Sequence, residues 1–336
     1  MNKLLARCKR FIYHSFFRRL IPSYHFILNW LAAAYYHHPS QQLIVIGVTG
    51  TTGKTTSVFL IAEVLRAAGY KVGYTSTAMF SDGQKDWLND KKMTMVGRFF
   101  TQRLLRQMVN NGCHYAIIET TSQGILQYRH RFINYDIAVF TGLYPEHIEA
   151  HGGFDNYRRA KGRLFSHLRA GHYKYINDQQ RVQSTDRGFK RIGLNKVLKT
   201  VIVNLDDEYA SYFLSFGFDQ AFGYTQKPKE IEEHNWPEQL KILPIEQLQA
   251  GIHGTDFVCQ DQMIHLPILG AFNALNALNA IAVALSQEID WSIIRSGLAA
   301  IPGLAGRLEM IDQGQPFSVI VDYAFEPVAL SKIYET

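Results

Sequence analysis

From residue 41 onward the chain alternates between two hydrophobic patterns. The runs LIVIGV (43–48), HYAIIET (114–120) and DIAVFTG (136–142) are short, rich in β-branched residues and almost wholly apolar, as strands buried on both faces are. Between them apolar residues recur at helical spacing. Positions 58, 61, 64, 65 and 68 predict a helix from Thr55 to Ala68, and a second is predicted over 97–111. KVGYTST (71–77) reads as a further strand. Strands alternating with helices predict an α/β fold, a mostly parallel sheet with helices on both faces. Residues 172–262 change character, with short strands (TVIVNL, DFVCQ, MIHLPI) among polar loops. LGAFNALNALNAIAVAL (269–285) is strongly helical after Gly270, and PFSVIVDYA (316–324) reads as another buried strand. At the N-terminus, residues 1–21 mix basic and bulky apolar side chains. Pro22 then interrupts, and 24–36 reads as a second helix.

Composition changes this picture little. The 336 residues suffice for two domains, or for one large domain with additions. The three cysteines, Cys8, Cys113 and Cys259, stand far apart and form neither a CxxC pair nor a disulfide framework. A reducing cytoplasmic setting without structural zinc is expected. Charge is more informative. Residues 1–40 carry Lys3, Arg7, Lys9, Arg10, Arg18 and Arg19 and no Asp or Glu, which leaves 29 basic against 29 acidic residues elsewhere. The net +6 therefore belongs to the N-terminal segment, and nothing predicts a nucleic-acid groove. A basic amphipathic segment over 1–21 suits peripheral contact with an anionic membrane surface; the plainer expectation is helices packed on the next domain. Pro22, His25 and Asn29 argue against a transmembrane span.

The chemistry is concentrated in GVTGTTGKTT (47–56), which comes directly after the apolar run of the first predicted strand. A strand entering a glycine-rich turn and then a helix gathers backbone N–H groups around an anion. Lys54 would reach the β and γ phosphates of a nucleotide and Thr55 would ligate Mg2+. The strict G-x-x-x-x-G-K-[ST] pattern needs glycine at 48, where the chain has Val48, so a variant phosphate loop is expected.

TGTTGKTT resembles the T-G-T-N-G-K-T-T loop of the Mur ligases, the ATP-dependent amide-forming enzymes of peptidoglycan precursor synthesis. Four further segments resemble that family in order and spacing. They are ETTSQGILQYR (119–129), TGLYPEHIEAHGGFDNYRRAKGRLF (141–165), LGAFNALNALNAIA (269–282) and GRLEMI…VIVDYAFEP. The MurE-like tripeptide synthetases are the members they most resemble. The resemblance implies a P-loop central ligase domain over 41–305, a basic helical segment over 1–40 and the start of a C-terminal Rossmann-like domain over 306–336. It implies ATP and Mg2+ as cofactors, a muramyl-peptide precursor and an amino acid as substrates, an acyl-phosphate intermediate, and a monomer without nucleic-acid partners.

The resemblance also distributes roles. Gly50, Thr51, Thr52, Gly53, Lys54, Thr55 and Thr56 would cradle the phosphates. Thr55, Glu119 and His147 would hold Mg2+, joined by Lys161 if that lysine is carbamylated. Asn273 would read the adenine, with Asn276 one turn on; Arg307 would lie near the phosphates and Asp322 at the ribose. Both asparagines could instead cap or cross-link helices. Thr94, Ser122 and Arg129 would meet the acceptor. The chain departs from the family at Thr52, Gly142, Glu146, Glu149, Gln123 and Phe325, which puts the acceptor's identity in more doubt than the ATP chemistry. The open alternatives are another amide ligase of the superfamily, of the lipid-linked-amidating or polyglutamate type, and a non-catalytic ATP-binding accessory protein. Only about forty residues precede the first predicted strand, and the sequence stops soon after the last, so an expected UDP-binding domain and most of a C-terminal domain are missing. A fragment is the favoured expectation, and the isolated chain would then be inactive.

Overall fold

The computed structural model describes residues 17–146, 148–185, 193–231, 234–324, 327–334 and 336. Its main feature is a nine-stranded sheet. The strands are β1 (Ile44–Thr49), β2 (Val72–Thr75), β3 (Met79–Ser81), β4 (Asp86–Leu88), β5 (Tyr115–Glu119) and β6 (Ile137–Phe140). After a small three-stranded sheet of β7 (Lys174–Ile176), β8 (Val182–Thr185) and β9 (Asn195–Lys196) come β10 (Thr200–Asn204), β11 (Gln220–Thr225) and β12 (Leu240–Pro244). The order is β12-β11-β10-β6-β1-β5-β2-β3-β4, parallel from β12 to β2, with β3 and β4 added antiparallel at one edge.

The helices that carry site residues or cover the sheet are α1 (Phe17–Tyr35), α2 (Lys54–Ala67), α3 (Arg98–Asn110), α4 (Ser122–Leu126), α5 (Ile148–His151), α6 (Phe154–Ala170), α7 (Ala210–Leu214), α8 (Phe272–Ser286) and α9 (Trp291–Ala299). The predicted apolar runs form the central strands because both their faces are covered. Ile44, Ile46 and Val48 face a core shared with α2, α8 and α9. Val45, one pleat on, faces a second core shared with α3, α6 and α7. A three-stranded antiparallel sheet, β13 (Glu246–Gly251), β14 (Gly254–Cys259) and β15 (Gln262–Leu266), joins the first core through Phe257, Ile264 and Leu266.

Two expectations are corrected. The N-terminal stretch is not two helices split at Pro22: α1 runs through Pro22. One proline removes a single backbone donor, and the helix is held downstream by Ala32 and Ala33, which are buried, and by buried Asn29. The part of α1 that is described does pack on the adjoining domain; the lipid-contact expectation falls mainly on residues outside the described set. No helix among the described residues is long and apolar enough to cross a membrane. The second correction concerns 316–324, which is not a buried strand. Only Val319–Val321 form a strand, β17, paired antiparallel with β16 (Glu309–Ile311), and Phe317 beside it is 65% exposed.

At the N-terminal edge of the sheet lies a wholly buried ionic cluster. Asp136 accepts from Lys174 Nζ (2.5 Å), Lys199 Nζ (3.2 Å) and the Val45 backbone N–H (2.8 Å). Lys174 also donates to the carbonyls of Leu43 and Asn134, and Lys199 to that of Tyr135. These bonds tie together the segments that enter β1, β6 and β10, at the end of the sheet opposite the glycine-rich loop.

Candidate active site

β1 lies between β5 and β6. The chain leaves β1 toward β2 on one side, and leaves β5 toward β6 on the other. Such a reversal opens a crevice at the carboxyl ends of the strands. Here that crevice is a cleft of about 660 Å³. Its floor is the loop 50–53, between β1 and α2.

Backbone geometry explains the glycines. Gly50 and Gly53 have φ of +152° and +78°. A Cβ on Gly50 would stand 2.0 Å from Thr141 Oγ1, and one on Gly53 2.5 Å from Asn276 Oδ1. The loop is pinned from outside as well. Thr51 N–H donates to the Gly142 carbonyl (2.8 Å), Thr141 Oγ1 donates to the Thr52 carbonyl (2.6 Å), and Tyr157 OH lies 3.1 Å from Thr51 Oγ1. Gly50→Ala is therefore expected to shift the loop at a cost of about 1–3 kcal/mol. Calorimetric titration with ADP should show at least tenfold weaker binding; unchanged affinity would mean that the loop does not hold phosphate.

Around this floor the structure brings together every site residue expected from the sequence that lies among the described residues. His147 lies outside them. Lys54 Nζ donates to the Thr51 carbonyl at 2.6 Å, folded back over its own loop. Glu119, at the end of β5 and 1% exposed, accepts from Thr55 Oγ1 (3.0 Å) and from the Thr77 N–H (2.7 Å), with Thr77 Oγ1 3.0 Å away. These hydroxyl and amide donors satisfy the buried carboxylate. Among the described residues no group of three or more His, Cys, Asp or Glu side chains gathers in the manner of a metal cage.

Lys161 is fully buried in α6. Its Nζ donates to the Gly50 carbonyl at 2.7 Å and lies 4.5 Å from the Tyr157 ring centre. Burial first, then the charge of Lys54, holds its pKa well below the ordinary lysine value.

The other end of the cleft is built by α8 and the 304–324 segment. Asn273 Nδ2 donates to the Leu269 carbonyl (2.7 Å), and Asn276 Nδ2 to Asn273 Oδ1 (2.8 Å). Ser57 Oγ lies 3.4 Å from Asn276 Oδ1, so these amides do cross-link α8 to α2 while lining the cleft. Arg307 Nη2 donates to Thr55 Oγ1 at 3.3 Å. Asp322 accepts from the N–H groups of Leu308 (2.8 Å) and Ala324 (2.6 Å). On the opposite wall Thr94 Oγ1 lies 2.9 Å from Thr77 Oγ1, Ser122 Oγ 3.1 Å from His151 Nε2, and Arg129 donates to the Met95 carbonyl.

Sequence reasoning missed Thr77, Thr141, His151 and Tyr157, all of which line the cleft. Tyr157 had a signal: it stands four residues before Lys161, so one helix face presents both. Thr77 and Thr141 had none beyond their place at strand ends.

A phosphate-binding loop at the switch point of a parallel sheet, with a lysine, a hydroxyl and a carboxylate around it, defines a P-loop nucleotide-binding α/β protein. Residues 48–199 match the family model of the Mur ligase middle domain. It is 33% identical over 319 residues to a UDP-N-acetylmuramyl-tripeptide synthetase of Roseiflexus sp., covering 94% of this chain and 58% of that protein. It is 30% identical over 311 residues to the UDP-N-acetylmuramoyl-L-alanyl-D-glutamate--2,6-diaminopimelate ligase of Bacillus licheniformis, covering 91% and 57%. A solved structure of a 2,6-diaminopimelate ligase of that type superposes with a TM-score of 0.65 at 24% identity, over 88% of this chain and 53% of the other. MurF from Acinetobacter baumannii shares the fold, with a TM-score of 0.62 at 18% identity over 93% and 57%. The chain thus spans somewhat over half the length of the relatives it matches.

Proposed function

We propose that the protein is an ATP-dependent amide ligase that joins an amino acid to a muramyl-peptide precursor. The observation that carries this reading is a cleft that holds the phosphate loop at its floor and Thr94, Ser122 and Arg129 on one wall. Phosphoryl donor and carboxylate acceptor can meet there. In this reading the γ-phosphoryl group moves from ATP to a carboxylate oxygen of the acceptor, giving ADP and an acyl phosphate. The amine of the incoming amino acid attacks the carbonyl carbon, an amide forms, inorganic phosphate departs and the amine proton is lost to solvent.

Such a transfer is mostly positioning and neutralisation of charge. The residues fit Mg-ATP. The glycines keep the loop backbone bare for close approach by phosphate, and Thr55 and Glu119 offer hard oxygen donors 3.0 Å apart. Bound Mg2+ would neutralise charge on the β and γ phosphates. Lys54 would leave the Thr51 carbonyl to reach the γ-phosphate, and Arg307, now on Thr55, is poised to do the same. Asn273 and Asp322 would take the adenosine end. We also assign Lys161 to the metal side of the site, as the carbamate; its buried amine, which burial and the charge of Lys54 make less basic, supports that assignment. His147 would complete the set.

The test is an ADP-release assay on the full-length protein with a muramyl dipeptide acceptor and candidate amino acids. ADP is expected only when acceptor and amino acid are both present, in one-to-one ratio with new amide. Steady ADP release without acceptor would contradict a ligase.

A further inference from the structure

Beside the wall of the cleft that Gln127 and Arg129 line, α1 and α3 place positive charge that no carboxylate among the described residues meets. Asn29 clamps α1 to the segment after α4. Its Nδ2 donates to the Gln127 carbonyl (3.1 Å) and to the His25 carbonyl (2.6 Å). Phe26 packs edge-on against Tyr128 and Phe132, with ring centres 6.3 and 5.0 Å apart. The clamp sets His25 beside Arg98, the first residue of α3, whose Nη2 lies 2.8 Å from His25 Nδ1. Arginine only donates, so Nδ1 accepts and the ring carries its proton on Nε2.

Arg129 completes the group. Its Nη1 donates to the Met95 carbonyl and its Nη2 to Gln127 Oε1 (2.6 Å), while its Nε is buried without a hydrogen-bond partner among the described residues. The three groups oppose one another. Burial first, then Arg98, lowers the pKa of Arg129; burial, then Arg98 and Arg129, lowers that of His25. Among the described residues neither arginine is paired with an Asp or Glu, and residues 1–40 contain none to offer.

Two partly buried guanidiniums near enough to repel each other, without a counter-charge, are unfavourable unless an anion sits with them. We propose that Arg98, Arg129 and His25 form an oxyanion subsite beside the cleft wall that Arg129 lines, and that its ligand is the pyrophosphate of the acceptor. A single carboxylate is met by one guanidinium fork. Two forks and an imidazole N–H from three separate elements suit a group that spreads its charge over two phosphoryl units. The anion subsite stands on these contacts and unpaired charges; calling its ligand part of the acceptor rests on the ligase reading.

The experiment uses the full-length protein carrying Lys54→Ala, which silences the phosphate loop, and inorganic pyrophosphate as probe. Imidazole NMR signals are followed, with His25 identified by the signal lost in His25→Gln. The His25 signal should shift saturably and its pKa should rise when pyrophosphate is bound. Arg98→Gln should weaken binding about tenfold or more, as loss of one charged contact does, and Arg98→Lys should recover much of it. A His25 signal that pyrophosphate leaves unmoved in a protein that melts normally would overturn the proposal, as would equal affinity in Arg98→Gln. Uridine diphosphate and farnesyl diphosphate then distinguish the source: whichever binds more tightly marks a nucleotide-linked or a lipid-linked acceptor, and both results keep the subsite. Because no turnover is read, failure here is separable from failure of the ligase reading, which appears in the ADP assay.

Discussion

Lys54→Ala should lower ATP-dependent turnover by about a hundred- to a thousandfold, the size of effect seen when one preorganised donor to a developing oxyanion is removed. The geometry gives the reason. Lys54 is the first residue of α2, and its ammonium is already over the loop, 2.6 Å from the Thr51 carbonyl. Only a short swing separates that position from a phosphate held by the loop amides. Loss of the ammonium removes its bond to the Thr51 carbonyl, but Thr141, Gly142 and Tyr157 still hold the loop. The variant should therefore melt like the parent without nucleotide but gain less stability from Mg-ATP. At a ligand concentration 100 times its dissociation constant the parent gains about 2.7 kcal/mol, and a hundredfold weaker site gains well under 1 kcal/mol. Differential scanning fluorimetry with and without Mg-ATP reads this directly, beside the ADP assay. Equal shifts in the two proteins would place the nucleotide elsewhere.

Asp136→Ala should produce the largest loss of stability, about 3–5 kcal/mol, because it strands two buried lysines. Asp136, Lys174 and Lys199 are all fully buried, and among the described residues the Asp136 carboxylate is the acidic group that pairs with both ammonium groups. Burial already lowers Lys174 to about 8, and Asp136 is the neighbour that pulls it back up. Without Asp136 its folded-state value falls further, while the unfolded value stays near 10.5. Over a wider pH range the unfolded chain then binds more protons than the folded one, so stability rises with pH there. The deficit of the variant should thus be greatest near pH 6 and shrink as pH rises toward 8, where the lysine is neutral at less cost. Urea titrations at several pH values test both statements. A loss below 1 kcal/mol, or a deficit independent of pH, would contradict this account of the cluster.

How much of this was legible in the sequence depends on what each residue touches. β1, β5 and β6 could be read because a strand covered on both faces must be apolar at every position, and a run such as LIVI has few other uses. The phosphate loop could be read because its glycines answer a local backbone demand. The exposed ribbon of β16 and β17 departs from expectation for a related reason. Phe317, Val319, Ile320 and Val321 form an apolar run too, and the run does not say whether a second layer covers it. Pro22 carries less weight than its usual role as a helix breaker implies: a proline rules out one hydrogen bond, and the packing of Ala32 and Ala33 several turns later outweighs it. β3, β4 and β9 are two or three residues long and carry polar side chains, so no periodicity could mark them. The donors around Glu119 were hidden because Thr55 opens α2 and Thr77 lies just beyond β2, brought together only by the parallel register of β1, β5 and β2. The cluster of His25, Arg98 and Arg129 was hidden likewise, since over a hundred residues separate its ends in sequence.

The acyl-phosphate route through this cleft is tested most directly by oxygen transfer. The acceptor is supplied with 18O in its reacting carboxylate, together with ATP, Mg2+ and the amino acid, and the full-length protein is allowed to turn over. The inorganic phosphate released should carry one 18O atom, because the carboxylate oxygen that took the phosphoryl group leaves with it. Phosphate free of label, with water as the source of its new oxygen, would contradict the account.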